Sequence, residues 1–182
     1  MDGRRRPGSG TPFDILLGVV GDAVRVLVVQ VLLLGTLVVL DDAGQPVSLA
    51  GAKLRGLLAA LALRPGQAVS AELLVEQFWG AEAKATATNS LQGLVSKLRR
   101  ALPAGVLATR PPGYVLDIAV ESVDANRFER LASEGRRALT GGDAATAAKL
   151  LREALELWRG SALAEFIYDE FAQGPKPYVS PS

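Results

Sequence analysis

Apolar positions along this chain change their period part-way. From Val26 they come in short runs, Val28-Val29, Val31–Leu34 and, after Gly35, Thr36–Leu40. β-Branched runs of that length predict strands. Asp41-Asp42-Ala43-Gly44 predicts a hairpin turn, and Gln45–Leu49 a returning third strand. The spacing then becomes helical. Leu54, Leu57, Leu58 and Leu61 predict a helix over Lys53–Leu63, ended by Arg64-Pro65-Gly66. Ser70 predicts the N-cap of a second helix, with Leu73, Leu74, Phe78 and Trp79 before a stop at Gly80. A third helix, capped by Thr86 or Thr88, carries the stripe Leu91, Leu94, Val95, Leu98 and Leu102. Val106–Arg110 and Tyr114–Ile118 read as paired strands around Pro111-Pro112-Gly113.

The order sheet, three helices, hairpin predicts an α+β winged helix-turn-helix with an N-terminal antiparallel sheet over residues 26–119. Beyond Asp117 the pattern is helical throughout. Asp124 predicts a cap for a helix holding Phe128, Leu131, Ala132 and Leu139. Gly141-Gly142-Asp143 breaks it, and Ala147, Ala148, Leu151, Ala154, Leu155 and Trp158 mark a second helix. Two helices over about 34 residues match one tetratricopeptide-like unit, an all-α helix pair at 120–166. One such unit cannot bury its own face, so the pair packs on the winged helix, pairs with a partner, or stays loose. Trp79 and Trp158, each ending an apolar stripe, read as core residues rather than ligand-stacking ones. Tyr114 reads as packing the wing onto the helices.

The ends carry less pattern. Residues 1–12 are rich in Gly, Pro, Arg and Ser, residues 13–25 are ambiguous, and 1–25 together read as a poorly structured leader. Arg4-Arg5-Arg6 before Phe13–Leu17 imitates a secretory signal, but Asp14, Asp22 and Arg25 interrupt every apolar run short of the roughly 20 residues a membrane helix needs. Residues 167–182 hold three prolines without periodicity and read as a loose tail.

Composition removes whole classes of chemistry. The chain has no cysteine and no histidine. Disulfides, thiolate zinc sites, Cys nucleophiles and imidazole acid–base catalysis are therefore impossible. No Walker loop and no Gly-x-Ser-x-Gly elbow occurs. The expectation is a cytoplasmic protein that is not an enzyme and takes no metal or cofactor. Leu37–Asp42 imitates the acidic pair of a receiver domain, but lies only about forty residues before the third helix, too close for a domain of that size.

Charge is where the chain becomes specific. Net charge is only +1, yet residues 84–116 carry five bases and no acid. Residues 1–83 hold seven bases against eight acids, and residues 117–173 seven against eleven. A cationic helix beside a cationic hairpin is what a duplex-DNA reader needs, because phosphate neutralisation supplies most of the binding energy. Opposite the apolar stripe of the third helix lie Asn89, Gln92, Gly93, Ser96, Lys97, Arg99 and Arg100. Asn and Gln pair with adenine and Arg with guanine in the major groove. Asn89, Gln92, Ser96 and Arg100 are the candidate base contacts. Lys97 and Arg99, with Thr109 and Arg110 on the wing, are the candidate phosphate contacts; Lys53 and Arg55 are weaker ones. The bland alternative is a solvated basic helix face. The wing and the absence of acids favour DNA.

Several stretches together resemble the Streptomyces antibiotic regulatory protein family. They are Leu33-Leu34-Gly35 with Leu37-Val38-Val39, Lys53–Leu58, Leu63–Gly66, Val69-Ser70 with Leu73-Leu74, and Trp79-Gly80. Asn89–Gln92, Val95–Leu102, Thr109–Tyr114, Val123-Asp124, Arg127–Glu129 and Leu157–Gly160 continue the likeness, which covers about residues 29–166. The resemblance implies an OmpR-like winged helix joined to a bacterial transcriptional activator domain. It implies a regulator that binds direct repeats in promoters of secondary-metabolite gene clusters, in pairs of molecules, and recruits RNA polymerase, with no membrane association. Three features depart from the family pattern. Thr88 stands where many members have a base, about twenty-eight residues precede the usual start, and the activator region is shortened to one helix pair. Two further readings remain: a truncated interaction module that modulates a full-length relative, with little DNA binding of its own, or a degraded gene product, suggested by the aperiodic tail after Phe166.

Overall fold

The computed structural model describes residues 29–80 and 84–166. The expected leader (1–25) and tail (167–182) lie outside the described residues. The chain opens with an antiparallel hairpin of β1 (Gln30–Leu32) and β2 (Val38–Leu40), in the register Val31 opposite Val39. The predicted Asp41–Gly44 turn forms. Asp41 Oδ1 accepts from the amides of Ala43 and Gln45, and Gly44 takes φ +72°. The third strand does not. Pro46 has no N–H to donate to a ladder. The return strand is reduced to one bridge, Leu40 with Pro46, and the Val47 amide donating to the Val39 carbonyl.

Three helices follow: α1 (Ala52–Ala62), α2 (Ala71–Trp79) and α3 (Lys84–Ala101). Ser70 caps α2 as expected, its hydroxyl accepting from the Leu73 amide at 3.1 Å. Neither Thr86 nor Thr88 caps α3, because the helix is already under way at Lys84. Ala87, fully buried one turn before Leu91, extends the apolar stripe backwards and carries the helix with it. Leu57, Leu58 and Leu61 of α1 pack with Leu91, Val95 and Leu98 of α3 in one core.

The predicted wing hairpin forms and is joined by a third strand. β4 (Leu107–Arg110) pairs with β5 (Gly113–Leu116), and β5 also pairs with a two-residue strand, β3 (Val69-Ser70). The first amide of α2, on Ala71, donates to the Pro112 carbonyl at 3.2 Å, so the wing turn satisfies a helix-start N–H. This crossing is why residue 113 is glycine. A Cβ there would fall onto the Val69 carbonyl oxygen and within 2.8 Å of the Ala71 amide nitrogen.

Two further helices, α4 (Asp124–Thr140) and α5 (Ala144–Glu156), form the predicted helix pair. Asp124 does not cap α4; it is the first helical residue, and Val123 precedes it in extended conformation without a side-chain cap. Its carboxylate is drawn elsewhere. One oxygen accepts from the Leu33 amide at 2.6 Å, the other from the Leu34 amide at 3.0 Å, and Arg159 lies 3.6 Å away. Val31 and Val123 also form a parallel bridge. Of the three fates open to the helix pair, packing on the winged helix is the one adopted.

The loop joining β1 to β2 is gripped along its whole length. The amides of Arg159 and Leu163 donate to the carbonyls of Leu34 and Leu33, and Arg159 Nη1 to that of Thr36. Gly35, at φ +147°, has the Cβ of Arg159 only 3.1 Å from where its own would stand. Glu165 accepts from the Leu37 amide at 2.8 Å and holds Arg55 through two bonds of 2.6 Å each. Leu163 and Phe166 join the core. Trp158 departs from expectation. It is 42% exposed and edge-on to Phe128 at 5.5 Å.

Asp124→Ala should leave two buried amides unpaired and cost roughly 2–5 kcal/mol in urea unfolding. A second expectation concerns Glu165. Hydrogen bonding from Arg55 holds its carboxyl below the ordinary 4.5. A depressed folded pKa gives stability that is present above the unfolded value and lost as pH falls through the folded one. The stability gap between wild type and Glu165→Gln should therefore be full at neutral pH and close below about pH 4.5.

Candidate nucleic-acid interface

Helix α3 separates its residues cleanly. Leu91, Val95 and Leu98 are at most 2% exposed, while Asn89, Gln92, Gly93, Ser96, Lys97, Arg99 and Arg100 all face solvent. The inward stripe at helical spacing forces this, since residues between stripe positions must point away from the core. The outward face carries no acid. Arg99 and Arg100 also sit in the last turn, where cations are favoured by the helix dipole. Arg100 lies back along the helix, its Nε 3.4 Å from the Ser96 carbonyl.

Gly93 is the informative residue on this face. A glycine inside a helix costs about 1 kcal/mol relative to alanine. Packing often explains such a residue. Here nothing lies within 4 Å of where its Cβ would be. No contact within the described fold requires the small residue.

The wing stands beside the helix. Arg99 reaches from α3 to β4, with Nε donating to the Leu107 carbonyl at 3.1 Å and Nη2 to Thr109 Oγ1 at 2.6 Å. Arg110, at the wing tip, pairs with Asp117 at 3.0 Å, both side chains about half exposed. An ion pair that open to water contributes little and is readily exchanged for another anion. Tyr114 is half-buried and packs the wing onto the core as expected.

The two candidates on α1 differ. Lys53 is exposed, with its ammonium 4.6 Å over the Trp79 ring, whose edge meets Phe78. Arg55 is not on an open face. Its guanidinium is committed to both oxygens of Glu165 and to the Leu37 carbonyl at 2.9 Å, and the pairing raises its pKa further. No signal in the sequence linked positions 55 and 165, since they lie on different units. Among the described residues no group of side chains could hold a metal ion, and no helix is long and apolar enough to cross a membrane.

Residues 44–116 match the family described as transcriptional regulatory protein, C terminal, and residues 123–179 match the bacterial transcriptional activator domain. The regulatory protein DnrI of Streptomyces peucetius is 35% identical over 147 residues, 75% of this chain and 54% of that protein. The transcriptional regulator RedD of Streptomyces coelicolor is 40% identical over 119 residues, 61% of this chain and 34% of that one. The solved structure of Mycobacterium tuberculosis EmbR in complex with a low-affinity phosphopeptide superposes with a TM-score of 0.75 at 31% identity, covering 81% of this chain and 40% of that one. The chain thus spans about half, or less, of the length of these relatives.

Gly93→Ala should raise stability by about 0.5–1 kcal/mol in thermal or urea unfolding, because it removes backbone entropy from the unfolded chain at a site with room for a methyl group.

Proposed function

Because the chain belongs to the Streptomyces antibiotic regulatory protein family, we propose that it is a sequence-specific DNA-binding regulator of transcription acting on a secondary-metabolite gene cluster. The observation that carries the reading is the outward face of α3: polar and basic, free of acids, and flanked by a basic wing. On this reading α3 enters the major groove, with Asn89, Gln92, Ser96 and Arg100 at base edges. Gly93 lets the helix axis approach a sugar or base closely. Lys97 and Arg110 neutralise phosphates, Arg99 and Thr109 flank them, and Lys53 supplies a further charge. Asp117 yields Arg110 to the phosphate when DNA binds. Arg55 is left out of the set, since its guanidinium is spent on Glu165.

The likeness to regulators extends the proposal. Two copies occupy adjacent direct repeats, and the bound pair recruits RNA polymerase on the nucleoid in the cytoplasm. A second reading has its own support. The helix pair exposes Leu139, Leu155 and Trp158, at 58%, 66% and 42%, which suits an interaction module that modulates a full-length relative. Salt separates the two. Engagement of about four phosphates gives a slope of log affinity on log salt near −3.6, whereas an interaction module gives little slope with DNA.

Purified protein mixed with fragmented genomic DNA should enrich fragments sharing a short direct repeat, and a Lys97→Ala/Arg100→Ala variant should lose them. A folded wild type that enriches nothing would remove the DNA reading. On an enriched site, Arg100→Ala should weaken binding by about 1–3 kcal/mol and relax preference at one base position. Lys97→Ala should weaken all sequences alike and reduce the salt slope by about one.

A further inference from the structure

Arg99 and Thr109 belong to different elements, yet a 2.6 Å hydrogen bond joins them across the candidate interface. β4 is the edge strand of the wing sheet, whose order is β3-β5-β4. An edge strand leaves alternate carbonyls without a ladder partner. Leu107 carries one of these, and Arg99 Nε fills it at 3.1 Å. Thr109 follows two residues later on the same side of the strand, and Arg99 Nη2 reaches its hydroxyl at 2.6 Å. The planar guanidinium thus spans two successive grip points on one strand. A lysine ammonium is a single point on a flexible stem and cannot hold both.

We propose that Arg99 is a positioning residue, a strut that fixes the wing against the recognition helix so that Arg110 and the α3 face meet the duplex together. The proposal rests on the DNA-binding reading above and deepens it. It reassigns Arg99 from neutralising phosphate to setting the angle between two DNA-touching elements. Thr109 is the strut's other end rather than an independent contact. Without the strut the edge strand β4, which carries Arg110, loses its side-chain tie to α3 and is held through β5. A specific site then loses the simultaneous fit of helix and wing, while non-specific DNA, which needs no single geometry, is bound nearly as before.

Three variants separate a strut from a phosphate contact. Arg99→Lys keeps the charge and loses the fork. Thr109→Val keeps the shape, suits a strand, and removes only the hydroxyl acceptor. Arg99→Ala removes both. As a strut, all three lower the ratio of specific to non-specific affinity by about tenfold. Arg99→Lys and Thr109→Val leave the salt slope unchanged, and Arg99→Ala with Thr109→Val is no worse than Arg99→Ala alone. If Arg99→Lys binds like wild type while Arg99→Ala lowers the slope by about 0.9, Arg99 is a phosphate contact and the proposal falls.

A readout without DNA stands beside this. The chain has no cysteine, so Ser96→Cys with Arg110→Cys places two spin labels uniquely, one on α3 and one at the wing tip. Their pulsed-resonance distance distribution should be narrow with Arg99 and Thr109 present and broad in each of the three variants. An unchanged distribution in all three overturns the strut. Failure of the wild type to bind any duplex overturns the functional reading and the specificity role with it, while the label distances still decide whether the strut exists.

Discussion

One carboxylate sets the arrangement of the molecule. Asp124 is 5% exposed, and a buried charge of that kind is tolerated only where hydrogen bonds and countercharge replace water. Here two adjacent amides at the end of the first strand supply them, with Arg159 close by. Because the acceptor stands at the start of α4 and the donors lie in the β1–β2 loop, satisfying the charge fixes where the helix pair sits on the winged helix. Glu165 and Leu163, in the segment after α5, grip the same loop. A single helix hairpin, too small to bury its own face, gains its stability from the domain it leans on.

The fold was legible wherever a few neighbouring residues decide the structure. The stripe from Leu91 to Leu102, the Ser70 cap, the Asp41–Gly44 turn and the Pro-Pro-Gly wing are local patterns, and each forms close to where the residues put it. What escaped depends on distant partners. Asp124 has every local mark of an N-cap; only the presence of Leu33 and Leu34 turns it into a tertiary acceptor. β3 is two residues long, below any pattern's reach, and shows itself in sequence only as the glycine at 113 that makes room for it. Pro46 was a visible obstacle to the third strand, outweighed by the apolar residues around it. Trp158 continues the helical stripe in sequence, but α5 ends at Glu156 and the ring stays 42% exposed.

The candidate interface divides along the same line. The outward set on α3 follows from helix geometry alone, so Asn89, Gln92, Ser96, Lys97 and Arg100 stand together on one exposed face. The fate of individual cations does not follow. Of the six bases first considered, Arg55 is neutralised by Glu165, Arg99 is engaged by β4, and Arg110 is shared with Asp117. Charge counting along a chain sees none of these partners. It overstates the number of cations free to meet an anion and understates how firmly the remaining ones are held in relation to each other.

The grip on the β1–β2 loop also has a temporal side. Leu33 waits for a partner 91 residues later in the chain, and Leu37 for one 128 residues later. At bacterial or eukaryotic elongation rates the second interval is roughly 6–25 s. The amino-terminal hairpin therefore leaves the ribosome long before its own amides can be satisfied. The β1–β2 loop reaches its final hydrogen bonding only after the helix pair and the segment beyond it have been made.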